Sequence, residues 1–67
     1  VLEIVVNGEA RAVQSGYTAA QLVAALDLTD RRIAMEVNRE IVPRSQYANF
    51  VFSAGDRVEV VQAIGGG

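Results

Sequence analysis

The chain has 67 residues, 51% of them apolar and 21% charged, with a formal net charge of −2. This is the composition of one small globular domain with a thin core, burying about 60% of the surface its unfolded form exposes and leaving little room for an enclosed substrate cavity. With no Cys, His or Lys, the chain lacks a disulfide framework, the usual zinc ligands, thiolate and Schiff-base nucleophiles, and the usual general base for its Ser, Thr and Tyr hydroxyls.

Leu2 to Val6 reads as a strand with Leu2, Ile4 and Val6 on one face. Asn7-Gly8 follows, and a type I′ turn needs positive φ at both central positions, which Asn and Gly tolerate best. Glu9 to Gln14 is expected to return as a second strand. Its Ala10 and Ala12 are poor strand formers, so the turn carries that assignment.

Ser15-Gly16 breaks the pattern, and a helix start comes next. Thr18 stands at the N-cap with Gln21 three residues on, which is a capping box, and Tyr17 and Leu22 suit a hydrophobic staple. Leu22, Val23 and Leu26 share one face with Ala19 above them. The helix is expected to end near Asp27.

Ile33, Met35 and Val37 alternate with Ala34 and Glu36 as a third strand. Asn38-Arg39-Glu40 is read as a turn and Ile41-Val42 as a short fourth strand. Pro43 stops it, having no N–H for a ladder. Pro43 to Phe50 is expected to be irregular with one short helical turn. Ala54-Gly55-Asp56 then turns the chain into a last strand, Arg57 to Gln62.

The order β-β-α-β-β-β predicts an α+β fold in which the one helix packs on one face of a mixed sheet. The expected core is Leu2, Ile4, Val6, Leu22, Val23, Leu26, Ile33, Met35, Val37, Val58 and Val60. Residues 1–62 make the expected domain, and 63–67 a flexible C-terminal tail. No apolar run approaches the ~18 residues of a membrane span, and no signal peptide is visible. Arg31-Arg32 is the only adjacent basic pair and lies beside Asp30, so no nucleic-acid footprint is expected. A cytoplasmic protein that binds neither nucleic acid nor membrane is the resulting expectation.

Three segments resemble one family. They are Val37-Asn38-Arg39-Glu40-Ile41-Val42-Pro43-Arg44, then Gly55-Asp56-Arg57-Val58-Glu59, then Val61-Gln62-Ala63-Ile64-Gly65-Gly66-Gly67. With the Asn7-Gly8-Glu9 turn, the element order and the Gly-Gly end, they are similar to the sulfur carriers of bacterial thiamin biosynthesis, the ThiS family. The resemblance implies a β-grasp, ubiquitin-like fold. It also implies a partner: an E1-like adenylating enzyme that uses ATP and Mg to activate the carboxylate of Gly67. A persulfide sulfur donor then leaves a thiocarboxylate there, and thiazole synthase takes the sulfur. The chain itself would bind no cofactor or metal and would be a co-substrate of its partners rather than an enzyme.

A terminal carboxylate is ionised at neutral pH and is a poor electrophile, which explains the need for adenylation. Glycine has no Cβ, so Gly65, Gly66 and Gly67 suit passage through a narrow channel into a partner. The bland reading of the glycines is a frayed end. Two functional alternatives stand beside the thiamin carrier. The small subunit of molybdopterin synthase shares the Gly-Gly end but tends to carry prolines before it, whereas Val61-Gln62-Ala63-Ile64 has none. A ubiquitin-like modifier would form an isopeptide bond through Gly67.

Val5 and Val61 are expected on the sheet face away from the core, on parallel neighbouring strands. With Ile64 they are candidates for an apolar partner interface that Ile41 and Phe50 extend. Arg11, Arg39, Arg44 and Arg57 read as solvated surface. Arg44, after Pro43, is singled out for pairing with acidic partner groups. Tyr17 and Tyr47 read as packing residues.

Overall fold

The two hairpins form where short turns allow them. The computed structural model describes residues 1–62, and the expected tail, 63–67, lies outside the described residues. Strand β1 (Leu2–Val6) pairs antiparallel with β2 (Glu9–Val13), from Leu2 opposite Val13 to Val6 opposite Glu9. Between them Asn7 has φ 50° and Gly8 φ 86°, the type I′ geometry expected of Asn-Gly. β2 stops one residue before the expected Gln14, whose carbonyl accepts from Tyr17 N at 3.1 Å in the next turn.

Helix α1 spans Ala19–Ala25 and opens with the capping box: Thr18 Oγ1 accepts from Gln21 N at 3.2 Å, and Gln21 Oε1 accepts from Thr18 N at 2.9 Å. The first two helical N–H groups reach further. Ala19 N donates to the Phe50 carbonyl and Ala20 N to that of Tyr47, so the segment before β5 completes the helix N-terminus. At the other end Asp27 takes φ 60°. Asp27 N donates to Ala24 O and Leu28 N to Val23 O, a Schellman closure built on Asp in place of the usual Gly.

β3 (Ile33–Val37) turns directly into β4 (Glu40–Val42), with Val37 opposite Glu40. The turn is thus Asn38-Arg39 alone, at φ 53° and 71°, and Glu40 belongs to the strand rather than to the turn. After Pro43 comes one 3₁₀ turn, Arg44–Gln46, and β5 runs Arg57–Gln62. The sheet order is β2-β1-β5-β3-β4. β1 and β5 are parallel and the other neighbours antiparallel. This is the β-grasp arrangement.

The helix stripe and the inner sheet face share one core, with Ile4, Leu22, Met35 and Val58 sealed from solvent. Leu2, Leu26 and Ile33, expected inside, are only partly buried at the margin. Val13, Val42 and Phe52 join the core beyond the expected set, together with Ala19 of the helix's apolar face and Tyr47, which is a packing residue as expected. Phe52 draws in two more aromatics, with ring centroids 5.5 Å from Phe50 and 6.5 Å from Tyr17.

Two asparagines of the hairpin turns also hold the central strand β5. Asn7 Oδ1 accepts from Val60 N at 2.9 Å and its Nδ2 donates to Val60 O at 3.2 Å. The carboxamide therefore stands in for one more residue of the β1 ladder. Asn38 Oδ1 accepts from Arg57 N at 3.0 Å, while its Nδ2 donates to Asp56 Oδ1 at 3.0 Å. Substituting Asn7→Gly keeps positive φ accessible but strands both polar groups of Val60. We expect a loss of about 2 kcal/mol in unfolding free energy in urea, at unchanged denaturant slope. A loss under about 0.5 kcal/mol would show that water replaces the clamp at no cost.

Candidate functional site

β5 is the strand that leads to the glycines. Its inner residues Val58 and Val60 are buried, and its outer residues Arg57, Glu59 and Val61 face solvent. The turn before it is fixed by Asp56, whose Oδ2 accepts from Ser53 N at 2.8 Å, and by Gly55, at φ 84°. Gly55 N donates to Glu3 O and Val5 N to Asp56 O, which sets the parallel register of β1 on β5. The last two described residues, Val61 and Gln62, lie opposite Ala34 and Ile33 of β3. β5 is thus paired with β1 at Arg57 and Val58 and with β3 through Gln62.

Of the candidate interface residues, Val5, Val61 and Ile41 all occupy the outer face of the sheet. They are not contiguous there. Val5 lies beside Arg57, and Val61, 61% exposed, lies beside Ala34. Val5 and Val61 are thus separated by four residues along β5, about 13 Å. Ile41, 72% exposed, stands opposite Glu36. Phe50, read as a possible extension of this patch, packs edge-on against Phe52 at the core instead. Ile64, Gly65, Gly66 and Gly67 lie outside the described residues.

The centre of the outer face is acidic. Glu36 of β3 stands directly opposite Glu59 of β5, and like charges so placed in an antiparallel pair repel. Among the described residues no group of His, Cys, Asp and Glu side chains is arranged to hold a metal ion. Among the described residues no helix is long and apolar enough to cross a membrane. The side chains exposed around this strand are carboxylates, guanidiniums and isolated apolar groups.

A small β-grasp body whose central strand leads into a glycine-rich end defines the ubiquitin-like class of proteins. Within that class the ThiS family model matches residues 4–67, and the chain belongs to the ThiS family. It is 33% identical over 66 residues to the sulfur carrier protein ThiS of Escherichia coli K12, covering 98% of this chain and 100% of that one. It is 41% identical over 66 residues to a thiazole synthase of Paramagnetospirillum magneticum, of which the chain spans only 20%. A crystal structure of a thiamine biosynthesis protein (ThiS) from Geobacter metallireducens superposes with a TM-score of 0.82 at 26% identity, covering 98% of this chain and 100% of that one.

Sequence reasoning missed the two asparagine clamps on β5, although Asn at both hairpin turns was a visible signal. It also missed the opposed Glu36–Glu59 pair, which needs the β3–β5 register. Replacing Glu59→Lys turns that repulsion into an attraction. We expect about 0.5 kcal/mol of added stability at low salt, shrinking as ionic strength rises. Equal stability at every ionic strength would show that the two carboxylates already avoid each other.

Proposed function

We propose that this chain is a sulfur carrier protein for thiamin biosynthesis, acting as a co-substrate of partner enzymes and not as an enzyme. The observation that carries this reading is the match that runs along the whole length of a sulfur carrier, within a family whose model extends through Gly67. The chain's own chemistry supports it: with no Cys or Lys, no side chain can form a persulfide or a covalent amine adduct.

In this reading an adenylating enzyme joins the Gly67 carboxylate to the α-phosphoryl group of Mg-ATP and releases pyrophosphate. The acyl adenylate has a good leaving group where the carboxylate had none. The terminal sulfur of a persulfide attacks the acyl carbon and AMP leaves. A thiol then opens the resulting acyl disulfide, freeing the thiocarboxylate and leaving a disulfide on the donor side. Thiazole synthase is the acceptor, a pairing supported by the relatives in which a domain like this one occupies 20% of a thiazole synthase. Gly65 and Gly66 serve as the narrow approach to the active sites.

The test is the intact mass of the chain after incubation with Mg-ATP, the adenylating enzyme and a persulfide donor. We expect a gain equal to exchange of one oxygen for sulfur, abolished by deleting Gly67. A covalent adduct with another protein's amine would instead favour a modifier. No gain in mass would sink the carrier reading.

A further inference from the structure

Asn7 serves the first hairpin turn and the central strand at once. Its φ of 50° opens the turn, and three of its groups are bonded to β5. The backbone N–H donates to the Val58 carbonyl at 2.8 Å. In the side chain, Oδ1 accepts from Val60 N at 2.9 Å and Nδ2 donates to Val60 O at 3.2 Å. β1 pairs with β5 only at Arg57 and Val58. Among the described residues this carboxamide is therefore what continues the β1 side of the ladder to Val60. The N–H and C=O of one residue ask for an acceptor and a donor side by side, which an amide offers and a carboxylate does not.

The same residue is the most reactive asparagine of the chain. Asn7, Asn38 and Asn49 are followed by Gly8, Arg39 and Phe50. An asparagine is lost when the backbone nitrogen of the next residue gives up its proton and attacks Cγ. The new N–Cγ bond closes a succinimide ring, and Nδ2 leaves as ammonia. Water then opens the ring at either carbonyl, giving aspartate or isoaspartate. A side chain on the attacking residue hinders this step, and glycine has none. Asn7 and Gly8 are both exposed, and a Cβ on Gly8 would meet nothing within 4 Å, so the turn is open to water. Ring closure has one obstacle in the fold: Cγ must leave Val60 and swing onto Gly8 N. Asn38 is the internal comparison. It has a φ of 53° and its own bonds to Arg57 N and Asp56 Oδ1, but an arginine follows it.

We propose that Asn7 is a site of spontaneous deamidation, held off in the folded chain by its two side-chain hydrogen bonds to Val60, and that conversion removes this clamp for good. An aspartate at this position keeps one oxygen for Val60 N but sets a second acceptor against Val60 O. An isoaspartate adds a backbone methylene to the two-residue turn that holds Val6 opposite Glu9. Either product adds one carboxylate, taking the net charge from −2 to −3. The reaction consumes only water, so it is independent of the carrier reading and of any partner.

Peptide mapping by mass spectrometry, after incubation of the chain in mildly alkaline buffer, follows the exchange of NH₂ for OH at each asparagine. In urea above the unfolding transition Asn7 is expected to convert while Asn38 and Asn49 persist. In the folded chain Asn7 is expected to convert at least about 10-fold more slowly, its rate climbing with urea towards the unfolded value, because the reaction runs through an opened state. Asn7→Asp reproduces one product directly. It is expected to speed hydrogen exchange at Val60 N about 10-fold. The effect should persist in high salt, which screens surface charge but not a contact at hydrogen-bond distance. Persistence of Asn7 in urea, or equal conversion of Asn38 there, would overturn the site. Equal rates in the folded and unfolded chain would overturn the protection by Val60. Unchanged exchange at Val60 in Asn7→Asp would overturn the loss of the clamp.

Discussion

The parallel pairing of β1 with β5 sets Val5 and Val6 beside Arg57 and Val58, and the other elements are arranged around that contact. A parallel neighbour cannot be reached by a short hairpin, so the whole of residues 7–56 must run between the two strands. The helix, the second hairpin and the 3₁₀ turn fit into that crossover. The helix covers the inner face, β3 takes the free side of β5, and the loop before β5 returns to cap the helix through Phe50 O and Tyr47 O. Completing β5 closes the core and both of its ladders together. Such non-local closure must pay the loop entropy before its contacts form. The asparagine clamps are placed where they reward it, at Val60 and at Arg57.

The legible parts of this sequence were those in which chemistry and position are local. Asn7-Gly8 announces its turn because only its two residues need positive φ. Thr18 and Gln21 announce the helix start because both halves of the box lie within four residues. Asn38-Arg39 was less sharp, because an Arg occupies the position where a Gly would have signalled the second positive φ, and the turn was read one residue too long. Val13, Val42, Tyr47 and Phe52 carried no periodic signal. Val13 ends a strand weakened by alanines, Val42 precedes a proline, and the two aromatics lie in irregular chain that only the helix N-terminus and the sheet edge explain.

The candidate site divides in the same way. Gly65, Gly66 and Gly67 stood out because their proposed role depends on the absence of side chains. Arg32 and Arg44, 12 positions apart, show the same limit: the β3–β4 hairpin and the turn after Pro43 bring both to one surface depression, which spacing alone does not reveal. Strand alternation gave Val5 and Val61 one face, which Ile41, read as an extension of their patch, also shares. Alternation cannot tell how far apart on that face two residues fall, since this depends on which residue of β5 lies beside which residue of β1.

The opposed carboxylates Glu36 and Glu59 are intelligible in this setting. On a surface this exposed such a pair costs only a few tenths of a kcal/mol, a modest penalty even for a chain of this size. What the pair does is keep the centre of the outer face negative while Arg31, Arg32 and Arg44 make one end positive. A carrier has to be bound, used and released by successive partners, so large contiguous apolar contact would work against it. Separated charges with small apolar groups between them give orientation and fast exchange without tight binding. The separations between Val5, Val61 and Ile41 likewise keep the exposed apolar groups of the outer face from forming one contiguous patch.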